Sequence, residues 1–366
     1  MAVHRLATSI CAHAWNGDGS QLAICPNTSE VWIFTGTRDP DSSTWVRAFT
    51  LRQHSSLVSS IDWHPVTNKI VTCSHDRSAF VWVRTDEAWE PQVVVLQHRM
   101  ACLDAKWSPD GRKFAVASGA KKAFVCFFEP TNNWWVAKET RKHKSSVLAL
   151  SWHPSGLAFA SVSTDYTAQI FSARIDEVDG AAVGAAAVST PFGELPDVGE
   201  VVTEFEVTRA WLNDVAWSPS GNVLAFVGHD SLLHVVTFGA ASSAGEPSAP
   251  TLQTIKCPTL PATRVLFLSD AALVTVGHSM NPELYSRSAD GLWRFTCYID
   301  RRVEATAAKS TSGVAAARAM FASKTSKGQS APSANEAEIW TKHQNAIVGV
   351  KSLRQGAWRG SALADG

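Results

Sequence analysis

Leu57-Val58-Ser59-Ser60-Ile61-Asp62-Trp63-His64-Pro65 decides how this chain is read, because its closing tripeptide returns as Trp107-Ser108-Pro109, Trp152-His153-Pro154 and Trp217-Ser218-Pro219. The four tryptophans lie 44, 45 and 65 residues apart (63 to 107, 107 to 152, 152 to 217). The first two intervals match a repeat of roughly 40–45 residues built as one small four-stranded sheet. The third equals one such period with about 20 residues inserted. Trp15-Asn16, 48 residues before Trp63, opens the series.

Strand-like alternation fills the space between these marks. Residues 57–63 are followed by Lys69-Ile70-Val71-Thr72-Cys73-Ser74 and then Ala79-Phe80-Val81-Trp82-Val83. Asp110-Gly111, Ser155-Gly156 and Ser220-Gly221 fall three to four residues past a repeat tryptophan, where a hairpin needs positive φ. Nine residues before the tryptophans stand His54, His98 and His143, and thirteen after them stand Asp76, Asp165 and Asp230. A histidine before a sheet and an aspartate in its second turn can hydrogen-bond through the imidazole, which makes His54, Asp76, His143, Asp165 and Asp230 expected structural staples. Trp82, Phe171 and Val236 follow those aspartates by six residues, at the third-strand position where a WD motif carries its tryptophan. Sheets begin near Ile10, Val58, Ala101, Val147, Leu212, Thr263 and Ala346. The expected fold is all-β, a seven-bladed WD-repeat β-propeller occupying residues 1–366 as one domain.

Bulk properties narrow the function. Lys+Arg 33 against Asp+Glu 33 gives a formal net charge of zero, so no overall field draws the chain to nucleic acid or into an anionic membrane surface. Seven scattered cysteines, without C-x-x-C or zinc-type Cys/His spacing, read as reduced core residues, and no metal or other cofactor is expected. No apolar leader opens the chain, and no stretch reaches the roughly 20 apolar residues of a membrane span, so no membrane insertion is expected. No nucleophile elbow, P-loop or dinucleotide fingerprint appears, and the histidines follow the repeat period, so no catalytic residue is assigned and the chain reads as a non-enzyme. An enzyme on this scaffold would need titratable groups at the central channel, which the repeat pattern does not supply.

Two segments break the period. Residues 176–206 carry eight acidic residues and no basic one, and read as an acidic loop insert in the fourth blade. Residues 300–338 separate the sixth and seventh blades, and from Arg301 to Gly328 they hold six basic residues against the single acid Glu304. Within them Val314, Ala317 and Phe321 fall at i, i+3 and i+7 after a Ser312 cap, which predicts a short amphipathic helix between blades 6 and 7. His343 plus 22 residues gives Asp365, the interval of His54 to Asp76, so the last blade reads as incomplete. Val3 to Ala7 is the candidate segment for closing the ring.

Text outside the repeats resembles one family, the WD-repeat subunits of the actin-related protein 2/3 complex. The likeness lies in His13-Ala14-Trp15-Asn16, Ala23-Ile24-Cys25-Pro26-Asn27, Lys113-Phe114-Ala115-Val116, Trp134-Trp135-Val136 and Ile170-Phe171-Ser172-Ala173. Pro191-Phe192-Gly193-Glu194-Leu195 sits inside the acidic insert, and the alanine-rich basic helix sits between blades 6 and 7, as in that family. The resemblance departs at the end, where the family's final strand with its Trp-Asp is absent. It implies a non-catalytic scaffold in the cytoplasm and actin cytoskeleton, supporting nucleation of branched filaments. Its implied partners are the other subunits of the complex, the actin filament and nucleation-promoting factors with acidic tails. The implied contact residues in the insert are Arg301, Arg302, Val314, Arg318, Met320, Phe321 and Lys324. A free-standing WD-repeat adaptor, such as a ubiquitin-ligase substrate receptor, is the alternative.

Overall fold

The computed structural model describes residues 4–39, 41–180, 190–239, 249–300, 343 and 345–352. Among them the chain folds as a β-propeller, with six four-stranded antiparallel blades in sequence order. Blade 1 holds β1 (Ala12–Trp15), β2 (Gln21–Cys25), β3 (Glu30–Thr35) and β4 (Val46–Arg52). Blade 2 holds β5 (Val58–Trp63), β6 (Ile70–Ser74), β7 (Ala79–Arg84) and β8 (Trp89–Val94). Blade 3 holds β9 (Cys102–Trp107), β10 (Lys113–Ser118), β11 (Lys122–Glu129) and β12 (Trp134–Thr140). Blade 4 is β13 (Val147–Trp152), β14 (Ala158–Ser163), β15 (Ala168–Ser172) and β16 (Val201–Phe205). Blade 5 is β17 (Leu212–Trp217), β18 (Val223–Gly228), β19 (Leu232–Thr237) and β20 (Thr251–Lys256). Blade 6 is β21 (Ala262–Ser269), β22 (Ala272–Gly277), β23 (Glu283–Arg287) and β24 (Trp293–Tyr298).

Sequence explains the order of strands within a blade. The second strands β6, β10, β14 and β18 are buried along their whole length, and apart from Lys113 at the start of β10 their text is a run of small and apolar residues. Both of their faces meet a neighbouring blade, so alternation would place polar groups in the core. The outermost strands β4 and β20 are mostly exposed and carry charged or hydroxyl residues. The core is therefore a ring of five seams between successive blades, each a separate apolar cluster. Blades 2 and 3 also join at their rims, where β8 and β12 pair in parallel through Val94 and Trp135.

The repeat tripeptide has a structural role. Trp63, Trp107, Trp152 and Trp217 end the inner strands and are buried. Gly111, Gly156 and Gly221 in the following turns adopt φ of 69°, 71° and 78°. At Gly221 a second constraint applies: a Cβ there would lie 2.3 Å from the His153 ring of the blade before. The pair Trp134-Trp135 divides in two. Trp135 is buried in the seam of blades 2 and 3, whereas Trp134 is 58% exposed and donates its indole N–H to Glu129 at 2.8 Å.

The two inserts fare differently. Where a loop is expected over 176–206, the structure places one helical turn, α1 (Asp176–Asp179), and the outer strand β16. The insertion proper thus lies between Ser172 and Val201, and residues 181–189 within it fall outside the described residues. The expected helix at 314–321, with every insert residue named above, also falls outside them, as does Asp365. At the expected seventh blade, residues 345–352 form no strand. They lie against blade 6, with the Ile347 N–H on the Gly277 carbonyl at 3.0 Å and the Thr263 hydroxyl on the Ile347 carbonyl at 2.8 Å. Leu6 and Ala7 pack against the other face of blade 1, beside Leu22, Ile24 and Phe34.

Candidate functional site

One face of the propeller carries the turns between second and third strands and the loops that pass from each outer strand to the next blade. The staple residues fix it. In blade 2, His54 Nδ1 lies 3.0 Å from Asp76 Oδ2, and His54 Nε2 lies 2.8 Å from Thr72 Oγ1, which also accepts from Trp82 Nε1 at 2.9 Å. A neutral imidazole satisfies all three bonds, with indole N–H to hydroxyl, hydroxyl to Nε2 and Nδ1–H to carboxylate. Burial favours that neutral form, pushing the His54 pKa down despite the carboxylate beside it. Burial alone would raise the Asp76 carboxyl, yet donors from Ser78 and Ser55 and the neighbouring imidazole hold it below the usual carboxylate range.

Blade 4 repeats the arrangement with His143 Nδ1 at 3.0 Å from Asp165 and Nε2 at 2.8 Å from Ser161, while Phe171 takes the third-strand position. Among the described residues, no histidine hydrogen-bonds Asp230. Thr208, nine residues before Trp217, donates its hydroxyl to it at 2.7 Å. His98 has no aspartate to meet and bonds Ser118 at 2.9 Å instead. The second-strand hydroxyls of Thr72 and Ser161 escaped the sequence reading, although both stand nine residues after a repeat tryptophan (63 to 72, 152 to 161).

Charge on this face leans basic, although Lys142 and Lys144 lie 3.9 Å from Glu200 and Glu206. Its aspartates are turned inward into staples, while Arg77, Arg99, Lys121, Lys142, Lys144 and Arg209 are exposed on the same turns and loops. Exposed apolar groups stand among them: Met100 at 53%, Tyr166 at 43%, Trp211 at 54% and Leu260 at 57%. The formal charge of zero thus hides a local basic surface, which attracts acidic partners more strongly than the total suggests. β24 runs out onto the same face at Tyr298, so the basic insert that begins after Asp300 departs from it.

The opposite face is braced by the acidic insert. Lys113 of β10, fully buried, places Nζ 2.6 Å from Asp179 Oδ2 and 2.9 Å from the Ala173 carbonyl. Arg112 donates to the Val178 carbonyl at 2.7 Å. Further on, Phe192 of the Pro-Phe-Gly-Glu-Leu stretch packs edge-on against His153, Trp217 and Phe238. The insert therefore reaches from blade 3 to blade 5.

At the centre a cavity of about 510 Å³ is lined by the inner strands and by residues 348–352. Against the expectation that the channel lacks titratable groups, Asp62, Asp104, Asp214, Lys106, Arg264 and Lys351 line it. The carboxylates are engaged in joining blades. Asp62 accepts from the Trp107 N–H at 2.9 Å, Asp104 from the Leu150 N–H at 3.0 Å and Asp214 from the Val265 N–H at 2.9 Å, each in the next blade. Lys351 donates to Asp62 at 3.1 Å. Burial raises the Asp214 carboxyl, and burial with the Lys351 and Lys106 ammonium groups pushes His13 down to about 4. Among the described residues, no group of three or more His, Cys, Asp or Glu side chains is placed to hold a metal ion.

Comparison with known proteins fits this architecture. The WD domain, G-beta repeat model matches residues 45–83 and 135–172. Actin-related protein 2/3 complex subunit 1A of Arabidopsis thaliana is 38% identical over 355 residues, covering 96% of this chain and 89% of the relative. The chain belongs to the actin-related protein 2/3 complex subunit 1 family. Subunit 1 of Schizosaccharomyces pombe is 33% identical over 300 residues, 81% of this chain and 76% of its own. Subunit 1 of Saccharomyces cerevisiae is 31% identical over 306 residues, 82% of this chain and 74% of its own. Such coverage takes in far more of the chain than the two matched repeats, so membership in the subunit 1 family does not rest on the repeat period alone.

Proposed function

We propose that this chain is a non-catalytic scaffold subunit of an actin-related protein 2/3 complex and supports nucleation of branched actin filaments. Family membership carries the complex role. The observation that carries the finer reading is the basic face from which the insert departs, because a rigid ring with an apolar-studded cationic surface suits docking rather than turnover. Its partners are the other subunits of the complex, the actin filament, and nucleation-promoting factors whose acidic tails match the local charge. Within the insert the contact residues are Arg301, Arg302, Val314, Arg318, Met320, Phe321 and Lys324, and the protein works in the cytoplasm on the actin cytoskeleton. Carboxylates at the channel are committed to backbone amides, which leaves them poor acid or base groups.

Branch counting by fluorescence microscopy tests this reading in complexes reconstituted with the wild-type chain or with Met320→Ala and Phe321→Ala together. The double variant is expected to assemble normally and to form branches at least several-fold more slowly. Unchanged branching would remove the insert from the mechanism, and failed assembly would make it structural.

A further inference from the structure

Blades 2 to 6 share one backbone feature in the turn between second and third strands. The third residue after β6, β10, β14, β18 and β22 is Arg77, Lys121, Tyr166, Ser231 and Met280, and these adopt positive φ of 74°, 65°, 73°, 58° and 57°. A left-handed backbone crowds Cβ against the following carbonyl oxygen, so it costs free energy at any residue with a side chain, whereas glycine takes it freely. Glycine stands at none of the five positions. On the opposite face the chain makes the other choice, placing Gly111, Gly156 and Gly221 at the positive φ of the turns between first and second strands.

Folding does not account for the difference. Arg77, Lys121 and Tyr166 are exposed, and other groups hold their turns. The His75, Gly119 and Thr164 N–H groups bond the Leu57, Ala101 and Ser146 carbonyls at 2.9, 2.9 and 3.0 Å, and Asp76 and Asp165 are engaged in their staples. Among the described residues Arg77 and Lys121 form no ion pair, unlike Lys122, Lys142 and Lys144, which face Glu139, Glu200 and Glu206. Exposed Arg99 and Met100, in the loop entering blade 3, extend the same sector, whereas Ser231 and Met280 carry no charge into blades 5 and 6. Strain kept at exposed side chains that do nothing for the fold marks side chains kept for what they present.

We propose that the second turns of blades 2, 3 and 4 form a docking surface for an extended acidic segment of a protein partner, with Arg77 and Lys121 meeting its carboxylates and Tyr166 its apolar side chains. The site rests on the reading that this subunit has acidic partners, and it sets one of them on the rigid face rather than in the insert. Charge complementarity selects the partner, because the two cations have no carboxylate of their own chain to satisfy them. The three tips belong to successive blades, so an extended segment meets them one after another. Their fixed backbones hold the side chains ready before the partner arrives, which lowers the entropy cost of docking.

Fluorescence anisotropy on the assembled complex tests the surface with one probe, a labelled synthetic peptide of aspartate and glutamate residues interrupted by single phenylalanines. Arg77→Gly, Lys121→Gly and Tyr166→Gly together are expected to weaken binding about tenfold. The same triple variant should melt no lower than the wild-type full chain, because each change removes strain along with the side chain. Unchanged binding would overturn the proposal, and so would a lower melting temperature, which would show that these side chains serve the fold. Arg77→Asn with Lys121→Asn keeps residues that tolerate the left-handed backbone and removes only charge, so it should weaken binding even if the triple variant does not fold. A wild-type complex that binds no acidic peptide would overturn this site and the acidic-partner reading together. Binding kept by the triple variant but lost with Met320→Ala and Phe321→Ala would overturn this site alone.

Discussion

Lys113 and Asp179, 66 residues apart in sequence, meet at 2.6 Å with both side chains closed off from solvent. The lysine rises from the second strand of blade 3, and the aspartate from a single helical turn that leaves blade 4. Burial pushes the Lys113 ammonium toward lower pKa, and Asp179 with the Ala173 carbonyl restores its charged form. Removing one partner of such a pair strands a charge in the interior, at a cost of about 3–5 kcal/mol. Asp179→Ala should therefore lower stability by that amount in urea unfolding. The double variant Lys113→Met with Asp179→Leu should recover most of it, because it removes both charges. Equal loss in single and double variants would show that packing, not charge, matters there.

Thr72 holds two buried nitrogens at once, His54 Nε2 and Trp82 Nε1. Thr72→Val keeps the shape and removes the hydroxyl, leaving both without a partner. The expected loss is about 2–3 kcal/mol, seen as a lower melting temperature. Thr208→Val removes a donor from the half-buried Asp230 and should cost about 1 kcal/mol or less. A loss at Thr208 equal to that at Thr72 would contradict the difference drawn between the two staples.

Acid should weaken the protein before its carboxylates titrate. His13 and His153 are pushed down to about 4, His153 by burial alone and His13 by burial with two nearby ammonium groups. Between pH 6.5 and 4 the unfolded chain binds protons at these sites and the folded chain does not, so stability falls as pH falls through that window. Each site contributes on the order of 3 kcal/mol across it. Above about pH 7 neither adds any slope. Thermal melts from pH 7.5 to 4.5 should show the decline, and His153→Gln should make it shallower. A wild-type curve that is flat down to pH 5 would rule out this assignment.

Gly221 is constrained twice, by its φ of 78° and by the His153 ring. Gly221→Ala should cost about 2 kcal/mol or more, with strain and overpacking acting together. Gly156→Ala tests the separation of the two effects. It has a similar φ of 71° but nothing nearer than 3.9 Å, so only the backbone penalty of about 1 kcal/mol should appear.

The sequence carried six of the seven expected blade starts, the tryptophan positions and the His54–Asp76 and His143–Asp165 contacts, because each blade is a local unit with its own turn chemistry; at the seventh, near Ala346, residues 345–352 form no strand. Staple substitutions were harder to see: Thr208 stands where a histidine was sought, and only its position relative to Trp217 marks it. The Lys113–Asp179 pair was invisible, since its members lie on either side of a blade boundary and Asp179 sits inside an insertion with no period to count by. The channel carboxylates were missed for a related reason. Asp62 precedes its repeat tryptophan by one residue, whereas Asp104 and Asp214 precede theirs by three, so no single spacing joins them, although each caps the next blade.

The central claim is that this ring is assembled into a complex with actin-related proteins. Affinity purification of the tagged full chain from its own cells, followed by mass spectrometry, tests it most directly. Both actin-related proteins and the remaining subunits should be recovered with it in near-equal amounts after a high-salt wash. Recovery of the chain without any actin-related protein would contradict the assignment.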